Sequence, residues 1–284
     1  MHMITEDHDS PAHRHAPRRL PCMPITALRV LDLAARHDID AGDLRQAVQG
    51  DPATVLALLA AARHLRRGTR HRTRSDCLSL RAAIEHLGLA AALSICLKFR
   101  LLDRHAAEGM DCIRHWRCAL LTTAYARAIA RRLRRHDAEQ IHTAAALCHV
   151  GDLTGGEPER AQLAVWLAEQ GVCEPLCALV HASGDAQAQG GAACIALAAR
   201  MADVWLQPDW ETRLAQTQVL ADRLFGAVPD LCSWVFGVLG PQAGDLEILL
   251  QIRWLSRRHI AQLSARADSL AQRWRTPVAT APRG

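Results

Sequence analysis

Apolar residues recur along most of this chain at the three- and four-residue spacing of one helical face. Order is expected to begin at LPCMPITALRVLDLAARHDID, where Pro24 opens a helix that turns Leu28, Leu31 and Leu33 toward a core. Asp38 to Asp43 supply turn and capping residues for a short second helix that carries Leu44 and Val48 and stops at Gly50. DPATVLALLAAARHL then starts afresh. Asp51 is its N-cap, Pro52 its first helical residue, and Val55, Leu58, Leu59 and Ala62 form its apolar stripe.

RHLRRGTRHRTR, Arg63 to Arg74, reads as a basic loop because of its glycine and threonines. Ser79 caps SLRAAIEHLGL, which buries Leu80, Ala83, Ile84 and Leu87 and ends at Gly88, and an apolar helix from Ala90 to Leu102 follows. A longer helix from about Asp111 to Arg135 carries Trp116, Leu120, Ala124, Ala128 and Leu133 on one side. Asp137 caps AEQIHTAAALCHV, which ends at Gly151. A loop at 155–160 precedes two helices, 161–181 and 191–207, separated by GDAQAQGG; about three more helices fill 211–274. The expected fold is all-α.

Composition supports that reading. Half of the 284 residues are hydrophobic but only 4% are aromatic, so alanine and leucine fill the apolar positions, and both enter a helix at little cost. The net charge of +5 comes almost wholly from arginine, since Lys98 is the one lysine. A small excess spread over this length does not identify a partner. The ten cysteines, at 22, 77, 96, 112, 118, 148, 173, 177, 194 and 232, are scattered through apolar runs, as reduced cysteines acting as small hydrophobes would be.

Residues 1–19 are polar, with histidines at 2, 8, 13 and 15 and no apolar periodicity, and read as a disordered tail rather than a signal peptide. No run reaches the length of a membrane span; Leu231 to Leu239 is apolar but short. A cytoplasmic protein is expected.

Three motifs stand in order in the N-terminal half: LPCMP at Leu20 to Pro24, DPA at Asp51 to Ala53, and AAIEHLG at Ala82 to Gly88. The central part adds HWRCALLTTAYA, ALCHVGDL, LVHASG and ALAARMADVW. Together they resemble the HDOD domain of bacterial signalling proteins, a divergent relative of the HD phosphohydrolases, over residues 20–207. The resemblance implies an N-terminal helical part at 20–105, an HD-like part at 106–207 and a helical extension at 208–284.

A catalytic HD site holds one or two divalent metals on about four histidine and aspartate ligands, which polarise a phosphate and supply a hydroxide nucleophile. By the resemblance, Cys118 stands where the first histidine is expected. His149 is kept, but Val150 follows it where the defining aspartate belongs. His181 keeps the first of a histidine pair, Ala182 replaces the second, and Asp203 keeps the last acidic position. The expectation is a dismantled centre with no catalytic residue, no cofactor and no metal, in a regulatory protein that binds a signalling partner.

Two alternatives remain open. Cys118, His149, His181 and Asp203 could form a softer, zinc-like set and sustain a metal-dependent phosphohydrolase, with His115 and Asp152 nearby in sequence. A plainer reading has His149 and Asp203 hydrogen-bonded to each other in a shrunken pocket. Arginines 66, 67, 70, 72 and 74, and 131, 132, 134 and 135, could instead hold an anion, a nucleotide or a nucleic acid, although cations at a helix end also suit its dipole. Cys173 and Cys177 are expected to pack rather than chelate, and His142 to sit in the core or at its rim. Neither the partner nor the oligomeric state can be read from the chain.

Overall fold

The computed structural model describes residues 20–67, 79–103, 111–154, 159–185, 187–226, 231 and 255–275. Among them the regular structure is helical throughout. No helix of the described residues is long and apolar enough to cross a membrane. The tail 1–19, Arg70, Arg72, Arg74 and the side chains of Arg66, Arg67 and Asp152 lie outside what is described, as does the apolar run after Leu231.

The N-terminal part consists of α1 (Pro24–Ala35), α2 (Ala41–Val48), α3 (Pro52–Arg67), α4 (Leu80–Leu87) and α5 (Leu89–Cys96). Its caps are local and strong. Asp40 and Asp43 form a reciprocal capping box on α2, and Ser79 accepts from the Ala82 amide at 3.2 Å on α4. Gly88, at φ +75°, makes the corner between α4 and α5, a left-handed conformation that a residue with a Cβ adopts only under strain.

The HD-like part is built on α6 (Cys112–Arg132), which α7 (Ala138–Leu147) and α10 (Gly190–Leu206) flank. A 3₁₀ turn at Gly151–Thr154 follows α7. Then come α8 (Arg160–Glu169), α9 (Glu174–Ala182) and, packed on α10, α11 (Trp210–Phe225). One hydrophobic cluster runs through both parts, from Val30 and Leu58 to Tyr125, Leu147 and Met201. Polar ties reinforce it: Arg45 grips Glu139 at 2.9 and 3.1 Å, the Leu80 amide donates to Thr143 Oγ1 at 3.0 Å, and Arg63 donates to the Val172 carbonyl at 3.0 Å.

The last described helix, α12 (Arg257–Arg275), returns to pack on α5 and α1. Trp274 Nε1 donates to the Ala34 carbonyl at 3.0 Å, and Arg273 donates to the same oxygen. Both satisfy an acceptor that the end of α1 leaves without an intrahelical donor. α12 is therefore packed against the N-terminal helices.

Several sequence expectations need correction. Leu28 is 43% exposed, while Leu31 and Leu33 are buried as expected. Basic residues from Arg63 to Arg67 continue α3 instead of beginning a loop. The apolar helix after Gly88 ends at Cys96, and the long helix ends at Arg132, with Arg134 in a left-handed conformation at φ +49°. The expected helix 161–181 is two helices, because Gly171 turns at φ +96° and Glu174-Pro175 opens a new first turn.

Candidate functional site

α6 and the end of α7 carry the positions that the HD resemblance singles out. α7 runs into the core so completely that every residue from Ile141 to Val150 is buried. His149 stands just past its C-terminus, 8% exposed, with Nε2 3.0 Å from Thr122 Oγ1 on α6. Val150, the residue in place of the defining aspartate, is fully buried in the main hydrophobic cluster. Its amide closes a turn onto the Leu147 carbonyl at 3.1 Å.

The other positions are spread over α6, α9 and α10. Cys118 is half-buried on α6, and His181 is exposed near the end of α9. Asp203, half-buried on α10, pairs with Arg213 of α11 at 3.8 Å. Burial pushes its carboxyl above the usual range; Arg213, Arg200, His149 and Arg114 pull the other way. His149 and Asp203 thus feel each other's charge; among the described residues His149 meets the Thr122 hydroxyl and Asp203 pairs with Arg213.

Among the described residues no group of three or more His, Cys, Asp or Glu side chains is placed to hold a metal ion, and Cys118, His149, His181 and Asp203 are all described. Cys173 and Cys177 bracket the first turn of α9. Cys177 is buried, its Sγ donating weakly to the Val172 carbonyl at 3.8 Å, and burial pushes its thiol up to about 11.

Of the arginine cluster at the end of α6, Arg131, Arg132 and Arg134 are exposed. Arg135 is engaged differently: its Nε and Nη2 grip the Asp137 carboxylate at 2.8 and 2.6 Å, and this pair holds the Asp137 carboxyl below its ordinary range. Arg135 is a tie before α7 rather than an available cation.

At two polar sites the structure adds long-range partners or surroundings to what the sequence showed. The first joins the LPCMP segment to DPA. Asp51, fully buried, accepts from Cys22 Sγ at 2.8 Å, the Met23 amide at 3.0 Å, the Ala53 amide at 3.0 Å and Thr54 Oγ1 at 3.2 Å. The capping role of Asp51 was legible, but its hold on a segment 28 residues away was not. The second is His142, buried on α7 and lining a narrow cleft between α1, α2 and α6. Its position in α7 had suggested only a core or rim residue.

The family model for the HDOD domain matches residues 20–195, and the chain belongs to that family. Asp203 lies just beyond the matched segment. The solved MmoQ response regulator from Methylococcus capsulatus str. Bath is 22% identical with a TM-score of 0.56, covering 74% of this chain and 99% of that one. A virulence factor, cj0248, from Campylobacter jejuni subsp. jejuni is 15% identical with a TM-score of 0.53, covering 75% of this chain and 89% of that one. At these identities the likeness is one of fold. No curated protein matches.

Proposed function

We propose that this protein is a non-catalytic HDOD regulator in bacterial signal transduction that works by binding a partner protein. The observation that carries this reading is Val150. Where an HD enzyme needs a carboxylate on its metals, this chain places an isopropyl group inside the apolar core, fully buried. An anion could not take that place without leaving the core or finding a charged partner inside it. The contact of His149 with a threonine hydroxyl and of Asp203 with an arginine is consistent with that reading. Membership of the HDOD family and the fold shared with a protein named as a response regulator support a signalling role.

The test is the metal content of protein purified without an affinity tag or chelator, run beside His149→Ala and followed by phosphohydrolase assays with manganese and magnesium. No stoichiometric metal in either protein, and no turnover, is the expected result. About one metal per chain that vanishes in His149→Ala would overturn the reading and restore a hydrolase using an altered ligand set.

A further inference from the structure

The cleft beside His142 is built differently from the vestigial centre and opens from another face of α6. It is lined by the polar residues His142, Arg29, Gln46, Gln49, Thr26 and Thr123 and by the apolar Met23, Ile25, Leu120 and Ala124. Gly50 keeps the floor low, since a Cβ there would come within 2.7 Å of Leu120 Cδ1.

Three observations point to a ligand. His142 is only 5% exposed, yet among the described residues its imidazole has no hydrogen bond or ion pair, and it forms part of the cleft wall. A buried polar group in that position calls for a partner from outside the chain. Burial first, and then the charges of Arg127, Arg45 and Arg131, hold the imidazole down at about 3, so the ring is neutral. The ring then offers one N–H donor and one acceptor at neutral pH.

The third observation is the charge balance. Glu139, the acid that acts on this group, is already held by Arg45 through both oxygens. Arg127 is partly desolvated, and Arg131 and Arg45 repel it further. Neither Arg127 nor Arg131 has a hydrogen bond or ion pair among the described residues. A half-buried guanidinium such as that of Arg127, repelled by Arg45 and the exposed Arg131, is relieved by a bound anion.

We propose that the cleft between α1, α2 and α6 is a binding site for a small oxyanion, carboxylate or phosphate, that hydrogen-bonds to His142 and is held in the field of Arg29, Arg45, Arg127 and Arg131. The apolar lining would receive the carbon skeleton of an organic acid. The site does not depend on the fate of the metal centre, so its failure would leave the regulatory reading standing.

The test uses the full chain labelled with ¹⁵N-histidine, titrated at pH 7 and constant ionic strength with inorganic phosphate and, separately, with acetate. A saturable shift is expected in one imidazole resonance, identified by its absence from His142→Leu. Arg29→Gln, at the rim and independent of the His142 substitution, should keep that resonance and bind about ten-fold more weakly, the loss of one charge-assisted contact. The anion that saturates at lower concentration assigns the site to phosphates or to carboxylates. A linear, unsaturated shift, or a titration unchanged in Arg29→Gln, would mean an adventitious ion only and overturn the proposal.

Discussion

The thiol of Cys22 donates a hydrogen bond to Asp51 Oδ2 at 2.8 Å, joining two segments 29 residues apart. The same oxygen takes the Met23 amide, while Oδ1 accepts from the Ala53 amide at the start of α3. One carboxylate thereby caps a helix and pins the extended segment that leads into α1. Two of the motifs that carry the family resemblance, LPCMP and DPA, are the two halves of this clamp.

Asp51→Ala is expected to destabilise the protein by about 2–4 kcal/mol, combining a lost helix cap with buried donors left unpaired. Asp51→Asn keeps one accepting oxygen and should cost less. Urea unfolding of the three proteins checks the order; an alanine variant as stable as wild type would remove the clamp from the account.

Cysteine labelling should follow burial. Among the described cysteines, Cys118 and Cys173 are half-buried, whereas Cys22, Cys96, Cys112, Cys148, Cys177 and Cys194 are buried. Burial also raises the thiols of Cys22 and Cys96, and brings Cys194 up to about 11. Since the thiolate is the reactive form, brief alkylation of the native protein, mapped by mass spectrometry, should modify Cys118 and Cys173 first. Cys22 and Cys96 should label only on unfolding.

The imidazole of His142 falls to about 3 in the folded protein from an ordinary 6.5. Between those values the unfolded chain binds a proton that the folded chain refuses, so stability is full above pH 6.5 and is lost as the pH falls toward 3. The slope is at most about 1.4 kcal/mol per pH unit for one such group. Asp51, whose carboxyl burial raises, acts in the opposite sense. It is common to both proteins when wild type is compared with His142→Leu, so the difference between their denaturation profiles isolates the histidine. A difference that does not change with pH would show that His142 titrates normally.

Restoring the family aspartate should not restore a metal site. Val150→Asp would put a carboxylate into a fully buried apolar position, at a cost of about 3 kcal/mol or more. Thermal melts with and without manganese test this: a lowered melting temperature that metal does not recover is expected, and recovery by stoichiometric metal would contradict it.

The C-terminal helix can be probed at one contact. Trp274→Phe keeps most of the packing but removes the indole N–H from the Ala34 carbonyl, and is expected to cost about 0.5–1.5 kcal/mol. Trp274→Ala should cost more. Equal stability of all three would mean that α12 does not fasten α1.

Much of the fold was legible because it is decided locally. Pro24, the Asp40 to Asp43 turn, Asp51-Pro52, Ser79 and Gly88 act on the residues next to them, and helical periodicity marks the faces they start and stop. Errors fell where a helix could run on or stop with little local difference, as at Cys96 and Gly171. A glycine within an apolar run does not announce whether its φ will be positive.

By itself the sequence determined the all-α class and most helix starts, and that Cys118 and Val150 are the residues at those two positions, since each depends on residue identity or near-neighbour spacing. Tertiary structure decided which polar groups meet. His149 finds Thr122, Asp203 finds Arg213, Cys22 finds Asp51, and His142 faces a cleft with arginines around it. These pairings depend on how helices distant in sequence are set against one another, and long-range packing leaves no periodic trace in the chain.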